Sequence, residues 1–141
     1  MRFWDSSAIV PLIVAESMSA RMRALRRSDP VIAAWWASSI ECASAIHREH
    51  RAARLADADL GTALRLLDHL RDEFHEVPPS ATARLHARRV LSLHPLRAAD
   101  ALQLAAALTL VDAGVSDLEF VCLDERLATA ARREGLSVIA G

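Results

Sequence analysis

Short apolar runs alternate along this chain with longer stretches in which apolar residues recur every three to four positions, the two periods of strand and helix. Arg2 to Trp4 is a short, mostly apolar run that stops at Asp5 and is expected as a buried strand. Ser6 and Ser7 are placed to cap the helix that follows, with Pro11 near its first turn. Glu16 to Arg27 carries Met18, Met22 and Leu25 on one face and arginines on the other, an amphipathic helix closed by Asp29-Pro30. Val31 to Trp35 is the second strand, and Ser38-Ser39 is expected to cap a helix running to about Ala53. Asp57 to Leu70 is a helix with Asp57 or Asp59 as cap and Leu60, Ala63, Leu64, Leu67 and Leu70 as its apolar stripe. Phe74 to Val77 is a weak third strand closed by Pro78-Pro79. Ser80 to His94 is a helix with Leu85 and Val90 or Leu91 turned inward, broken by Pro95. Arg97 to Ala113 is the most apolar helix, ended by Gly114. Glu119 to Leu123 is a strand that again stops at an acid, Asp124; Glu125 to Arg133 is a helix ended by Gly135, and Ser137 to Ala140 is a last strand.

Strands alternating with helices predict an α/β fold: a mostly parallel central sheet of about five short strands, flanked by helices. No repeat, linker or low-complexity segment divides the chain, so residues 1–141 read as a single domain. With 52% hydrophobic and 25% charged residues it is a globular sequence rather than a disordered one. A net charge of −1 provides no overall field for nucleic acid, but is compatible with an Arg-rich surface beside an acidic pocket. Cys42 and Cys122 lie in apolar runs and read as small buried hydrophobes of a protein in a reducing cytoplasm. Nothing resembles a signal peptide, and the apolar stretch Ala98 to Val111 is too short to span a bilayer and holds Asp100, so no membrane partner is expected.

One absence narrows the chemistry. The chain contains no Lys, no Asn and no Tyr, and all 17 basic side chains are Arg. A codon bias toward GC is the simple origin. The consequence is independent of origin: phosphate-binding P-loops, pyridoxal Schiff bases, kinase-type sites and receiver-type phosphoacceptor sites all need a lysine and are excluded. Cationic contacts to a ligand have to run through guanidinium groups, which favour planar, bidentate geometry.

Acids remain. Asp5 and Asp124 each end a strand, and in an open parallel sheet ligands bind beyond the carboxyl ends where the winding reverses. Glu41 lies just inside a helix start beside Ile40 and Cys42, and Asp100 lies in the first turn of the most apolar helix. Each alone has a structural account, as a helix cap or a partner of the helix dipole. Facing one crevice they would repel one another unless a cation neutralised them, and oxygen-only ligands favour Mg²⁺ or Mn²⁺, ions that activate water and polarise phosphates. His47 and His50 lack zinc-helix spacing and read as a solvated helix end, while His86 and His94 are isolated. Of Trp35 and Trp36, one is expected in the core and the other at a groove or interface.

Four blocks in order carry a resemblance: Phe3-Trp4-Asp5-Ser6-Ser7-Ala8, Ser38-Ser39-Ile40-Glu41, Leu96-Arg97-Ala98-Ala99-Asp100-Ala101-Leu102-Gln103-Leu104-Ala105, and Phe120-Val121-Cys122-Leu123-Asp124. Over nearly the whole chain the sequence resembles the PIN-domain ribonucleases, specifically the VapC-type toxins of bacterial toxin–antitoxin pairs. The resemblance implies a three-layer PIN-like fold and a Mg²⁺-dependent endoribonuclease, with Mn²⁺ as a substitute. Asp5, Asp100 and Asp124 would be the metal ligands and Glu41 a ligand or the orienter of the attacking water. Ser7 would sit beside the first acid. It also implies RNA as substrate, an antitoxin that inserts a basic side chain among the acids, and a homodimer. Part of the stripe of Met18, Met22 and Leu25 would suit an antitoxin groove. Arg97, about one helical turn before Asp100, and Arg126, two residues after Asp124, are candidates for holding RNA. One position departs from the family, which has Thr or Ser two residues before the last Asp; here it is Cys122, and a thiol is a poor partner for a hard metal or its water shell. A PIN nuclease with a housekeeping role, and a PIN fold that only binds partners, are the two other readings.

Overall fold

The computed structural model describes residues 1–141. Five strands form one sheet: β1 (Arg2–Trp4), β2 (Ile32–Trp35), β3 (His75–Val77), β4 (Glu119–Val121) and β5 (Ser137–Ile139). Seven helices connect or follow them: α1 (Ser6–Ile13), α2 (Ser19–Ser28), α3 (Ser38–Arg51), α4 (Asp57–Asp72), α5 (Ala81–Leu93), α6 (Ala98–Asp112) and α7 (Glu125–Arg133). The strand order is β3-β2-β1-β4-β5 and every pairing is parallel, so the expected α/β fold with a parallel sheet is found. The chain winds outward from β1 through β2 to β3, then returns to the other side of β1 for β4 and β5. The winding therefore reverses between β1 and β4, where Phe3 pairs with Phe120 and their rings stack 5.4 Å apart.

Period-two burial makes the layers. Phe3, Ala33, Trp35, Phe120 and Cys122 face one hydrophobic cluster with α5, α6 and α7. Trp4, Ile32, Ala34 and Val121 face the other, with α1 to α4. Strands buried on both faces read as continuous apolar runs, which is why three or four residues suffice to mark each one. α6 is buried on most sides, as its near-continuous apolar sequence requires. Its partner α5 turns Ala83, Ala87 and Val90 toward it, and Leu85 is 69% exposed. The expectation that Leu85 points inward is thus corrected: small residues let the two helices approach, and the larger leucines, Leu91 included, are left outside. Of the methionine stripe, Met22 is fully buried, and Met18 and Leu25 are partly buried against the same cluster.

Helix starts differ more from expectation than helix positions do. Asp5, not Ser6 or Ser7, caps α1 through the backbone N–H of Ser7. Pro11 lies inside this eight-residue helix, beyond its first turn, and is buried. The second helix starts at Ser19 rather than Glu16. α3 and α4 begin after Ala37 and Ala56 with no side-chain cap, so neither Ser38-Ser39 nor Asp57 or Asp59 serves as one. The Ser38 hydroxyl is turned instead into the core toward Gln103. Ser80 does cap α5, and Gly114 and Gly135 follow α6 and α7 with φ of 95° and 88°, the left-handed geometry that ends a helix.

Candidate active site

The carboxyl ends of β1 and β4 open into a cleft of about 510 Å³ lined by Asp5, Glu41, Asp100 and Asp124. Four different elements deliver these acids. Asp5 leaves β1 and caps α1; Asp124 follows β4 by three residues and caps α7 through the N–H of Leu127 at 2.8 Å. Glu41 and Asp100 stand in the first turns of α3 and α6. Each position is one at which a helix N-terminus favours a negative charge, and the fold aims all of them at one space.

Their surroundings differ. Asp5 is only 3% exposed. Its Oδ2 accepts from the Ser7 N–H and the Ser7 hydroxyl. The same hydroxyl accepts from the Leu123 N–H at 2.9 Å, so Ser7 ties the end of β1 to the segment that follows β4. Cys122 is fully buried beneath them, with Sγ 3.7 Å from the Asp5 carboxylate and 3.3 Å from the Asp124 carbonyl. The thiol therefore occupies a place that touches the acids without facing the cleft. Burial and the neighbouring Asp5 charge push its pKa up, which keeps it protonated and unreactive.

Glu41 accepts from the Ser6 hydroxyl at 2.9 Å and from Gln103 Nε2 at 3.2 Å. Gln103 is fully buried and also donates to Ser38 at 2.9 Å. The sequence offers Ser6 only as a helix cap and gives Gln103 no role, although Gln103 follows Asp100 by three residues on the same helix and so shares its face. Arg48 is the other omission: it lines the cleft from α3, two turns beyond Glu41, where the sequence suggested only a solvated helix end. The seven-residue spacing is the signal that was available.

Burial holds the carboxyls of Asp5, Glu41 and Asp100 above the ordinary carboxylate range, with neighbouring acids adding to the effect. Hydrogen bonds from Ser7 oppose it at Asp5, those from Ser6 and Gln103 at Glu41, and the backbone and charge of Arg97 with the charge of Arg126 at Asp100. None of the four acids is in an ion pair. Arg97 and Arg126 stand near Asp100 but line no wall of this cleft; Arg126 lines a neighbouring pocket on α7. Trp35 is in the core, and Trp36 is 49% exposed in a separate depression beside Ile40.

The donor set suits a hard divalent cation: oxygen ligands only, partly desolvated, mutually repelling and in no ion pair. No three acidic, cysteine or histidine side chains are drawn together into a ready-made metal cage. The four acids instead stand around one open cleft.

No family model matches the chain. Two curated relatives do, Ribonuclease VapC45 and Ribonuclease VapC49 of Mycobacterium tuberculosis, each 30% identical over 136 residues, 96% of this chain and 92% of theirs. Among solved structures, FitAcB from Neisseria gonorrhoeae superposes with a TM-score of 0.73 at 15% identity, covering 99% of this chain and 96% of its own. FitAB bound to an IR36 DNA fragment gives 0.68 at 12% identity, over 99% and 94%. PAE2754 from Pyrobaculum aerophilum gives 0.66 at 19%, over 97% and 82%. At these identities the structural likeness is one of fold.

Proposed function

The chain belongs to the VapC-type PIN-domain ribonucleases, and from that premise we propose that it is the toxin of a toxin–antitoxin pair, a Mg²⁺- or Mn²⁺-dependent endoribonuclease. The observation that supports this reading most is the convergence of Asp5, Glu41, Asp100 and Asp124, from four elements, on one cleft at the reversal of the sheet. Asp5, Asp100 and Asp124 would hold the divalent ion. When bound, such an ion lowers the pKa of water and offsets charge on the phosphate.

The protein's own groups do the rest. Ser7 fixes the Asp5 carboxylate, and its bond to the Leu123 N–H keeps the two strand ends in register. Ser6 and Gln103 hold the two oxygens of Glu41, so that this carboxylate stands in one orientation to receive a proton from the attacking water. Arg48 within the cleft, and Arg97 and Arg126 beside Asp100, draw the phosphodiester toward acids that would otherwise repel it. No lysine or tyrosine and no ionised thiol contributes a covalent route. An antitoxin with a basic side chain would block the same cleft by charge complementarity, and a homodimer is the expected toxin assembly. Two free, buried cysteines suit a cytoplasmic protein.

Incubation of the purified protein with single-stranded RNA tests the reading. Cleavage in Mg²⁺ that stops in EDTA and in Asp100→Ala supports it. Cleavage that persists undiminished in either condition contradicts it.

A further inference from the structure

Beside the acidic cleft, on the flank of α7, lies a second pocket of about 330 Å³. Its walls include His94, Glu125, Arg126, Thr129 and Arg133. We propose that this pocket binds a backbone phosphate of the RNA strand, one outside the scissile linkage. The proposal rests on the ribonuclease reading above and extends it to the path the substrate takes.

Four features support it. First, position: Arg126, Thr129 and Arg133 follow one face of α7 at intervals of three and four residues, so the pocket runs ~10 Å along the helix. It begins at Arg126, whose charge reaches the Asp100 carboxyl of the acidic cleft. A strand crossing the acids is thereby led along α7. Second, charge: neither arginine is in an ion pair, and their two charges outweigh the one carboxylate in the wall, Glu125. Arg126 stands in the first turn of α7, where the helix dipole disfavours a cation. The helix gains nothing from it there, whereas a phosphate does. Arg133, in the last turn, is compatible with the dipole.

Third, the pocket wall is built rather than soft. His94 is 9% exposed and its Nε2 lies 2.7 Å from Glu134, which also accepts from Arg89. This link joins the end of α5 to the end of α7. Burial pushes the Glu134 carboxyl up, but the bonds from Arg89 and His94 outweigh it and hold the group below its usual range, so it stays ionised and the tie stays made. Fourth, the lining selects phosphate over base. It contains two guanidinium groups and a hydroxyl, which match phosphate oxygens, and no Phe, Tyr or Trp; its one aromatic ring, the His94 imidazole, is buried and held by Glu134, which leaves little face for a base to stack on.

Steady-state cleavage of a single-stranded oligoribonucleotide by Arg133→Gln and Thr129→Val tests this, with Arg65→Gln on α4 as a control distant in sequence and outside the pocket. Arg133→Gln is expected to raise KM three- to tenfold with kcat held within twofold. The loss of one phosphate contact should make the log–log salt dependence of kcat/KM shallower by about 0.7. Thr129→Val is expected to raise KM by less, and Arg65→Gln to change neither quantity. A KM and salt slope for Arg133→Gln equal to wild type overturns the proposal, as does a loss confined to kcat or matched by a lowered melting temperature. An unchanged KM for RNA with weakened binding of an acidic protein partner would assign the pocket to that partner instead. Failure of the ribonuclease reading is separable: the wild-type protein itself would then not cleave.

Discussion

The acidic cleft has a deep half and a rim half, and the two are held in different ways. Asp5 and Glu41 lie in the deep half, clasped by Ser7, Ser6 and Gln103, with Ser38 and Cys122 packed behind them. Asp124 and Asp100 lie at the rim. Asp124 is exposed and bonded only to the N-terminal backbone of its own helix, and Asp100 has arginines nearby but no side-chain hydrogen bond. The deep half is oriented by the protein, and the rim half waits on what enters the cleft. Carboxylates that share one cleft are therefore not equivalent. A change in the deep half should disturb the hydrogen-bonded clasp together with the chemistry, whereas at Asp100 on the rim, which no side chain holds, a change should cost chemistry without costing stability.

The sharpest break of this comparison is Asp5→Ala. It removes a proposed ligand and the cap of α1 together. RNA cleavage should fall by on the order of 10³-fold, and the lost cap should cost about 1 kcal/mol in thermal unfolding. Asp100→Asn should reduce cleavage by roughly 10²-fold, yet leave the metal-free protein more stable. The sign follows from the raised Asp100 carboxyl. An unfolded chain releases that proton at lower pH than the folded one, so stability falls as pH rises from the ordinary Asp value of 3.8 through the raised folded value. Wild type and Asp100→Asn should therefore melt alike near pH 3, and the variant should melt higher, by about 2 °C, at pH 7 in EDTA. Equal melting at both pH values would remove the rim half from the comparison.

Gln103→Leu tests the clasp on Glu41 without touching an acid. Support of this kind is typically worth 10- to 100-fold in activity or metal affinity. The effect should appear in kcat and in Mn²⁺ affinity rather than in KM for RNA. Cys122→Ser is the mildest change. A hydroxyl beside Asp5 and Ser7 suits a hard ion better than a thiol, so Mn²⁺ affinity should tighten a few-fold with cleavage little altered. A weakened affinity would show that the thiol is a fitted part of the deep half.

These contrasts also mark how far the sequence could be read. Asp5 and Asp124 were legible because buried strands leave short apolar runs, and an acid that ends such a run stands out. Their meeting followed from the parallel sheet and its reversal between β1 and β4. The clasp was not legible. Ser38 next to Ser39 looks like a helix cap, and only tertiary packing turns its hydroxyl toward Gln103, 65 residues away. Leu85 looked like core because helical spacing names a face without saying how close the neighbour comes. Arg48 was hidden in a charged helix end, although its distance from Glu41 along α3 put it on the cleft side. Local periodicity thus carried the scaffold and the acids, and contacts between distant segments decided which polar groups serve them.

Whether these acids form one cation site is decided by calorimetric titration of the purified protein with Mn²⁺. Binding to the wild type should be saturable and should weaken at least tenfold in both Asp5→Asn and Asp100→Asn, one from each half of the cleft. Binding of unchanged affinity in both variants would contradict a single site.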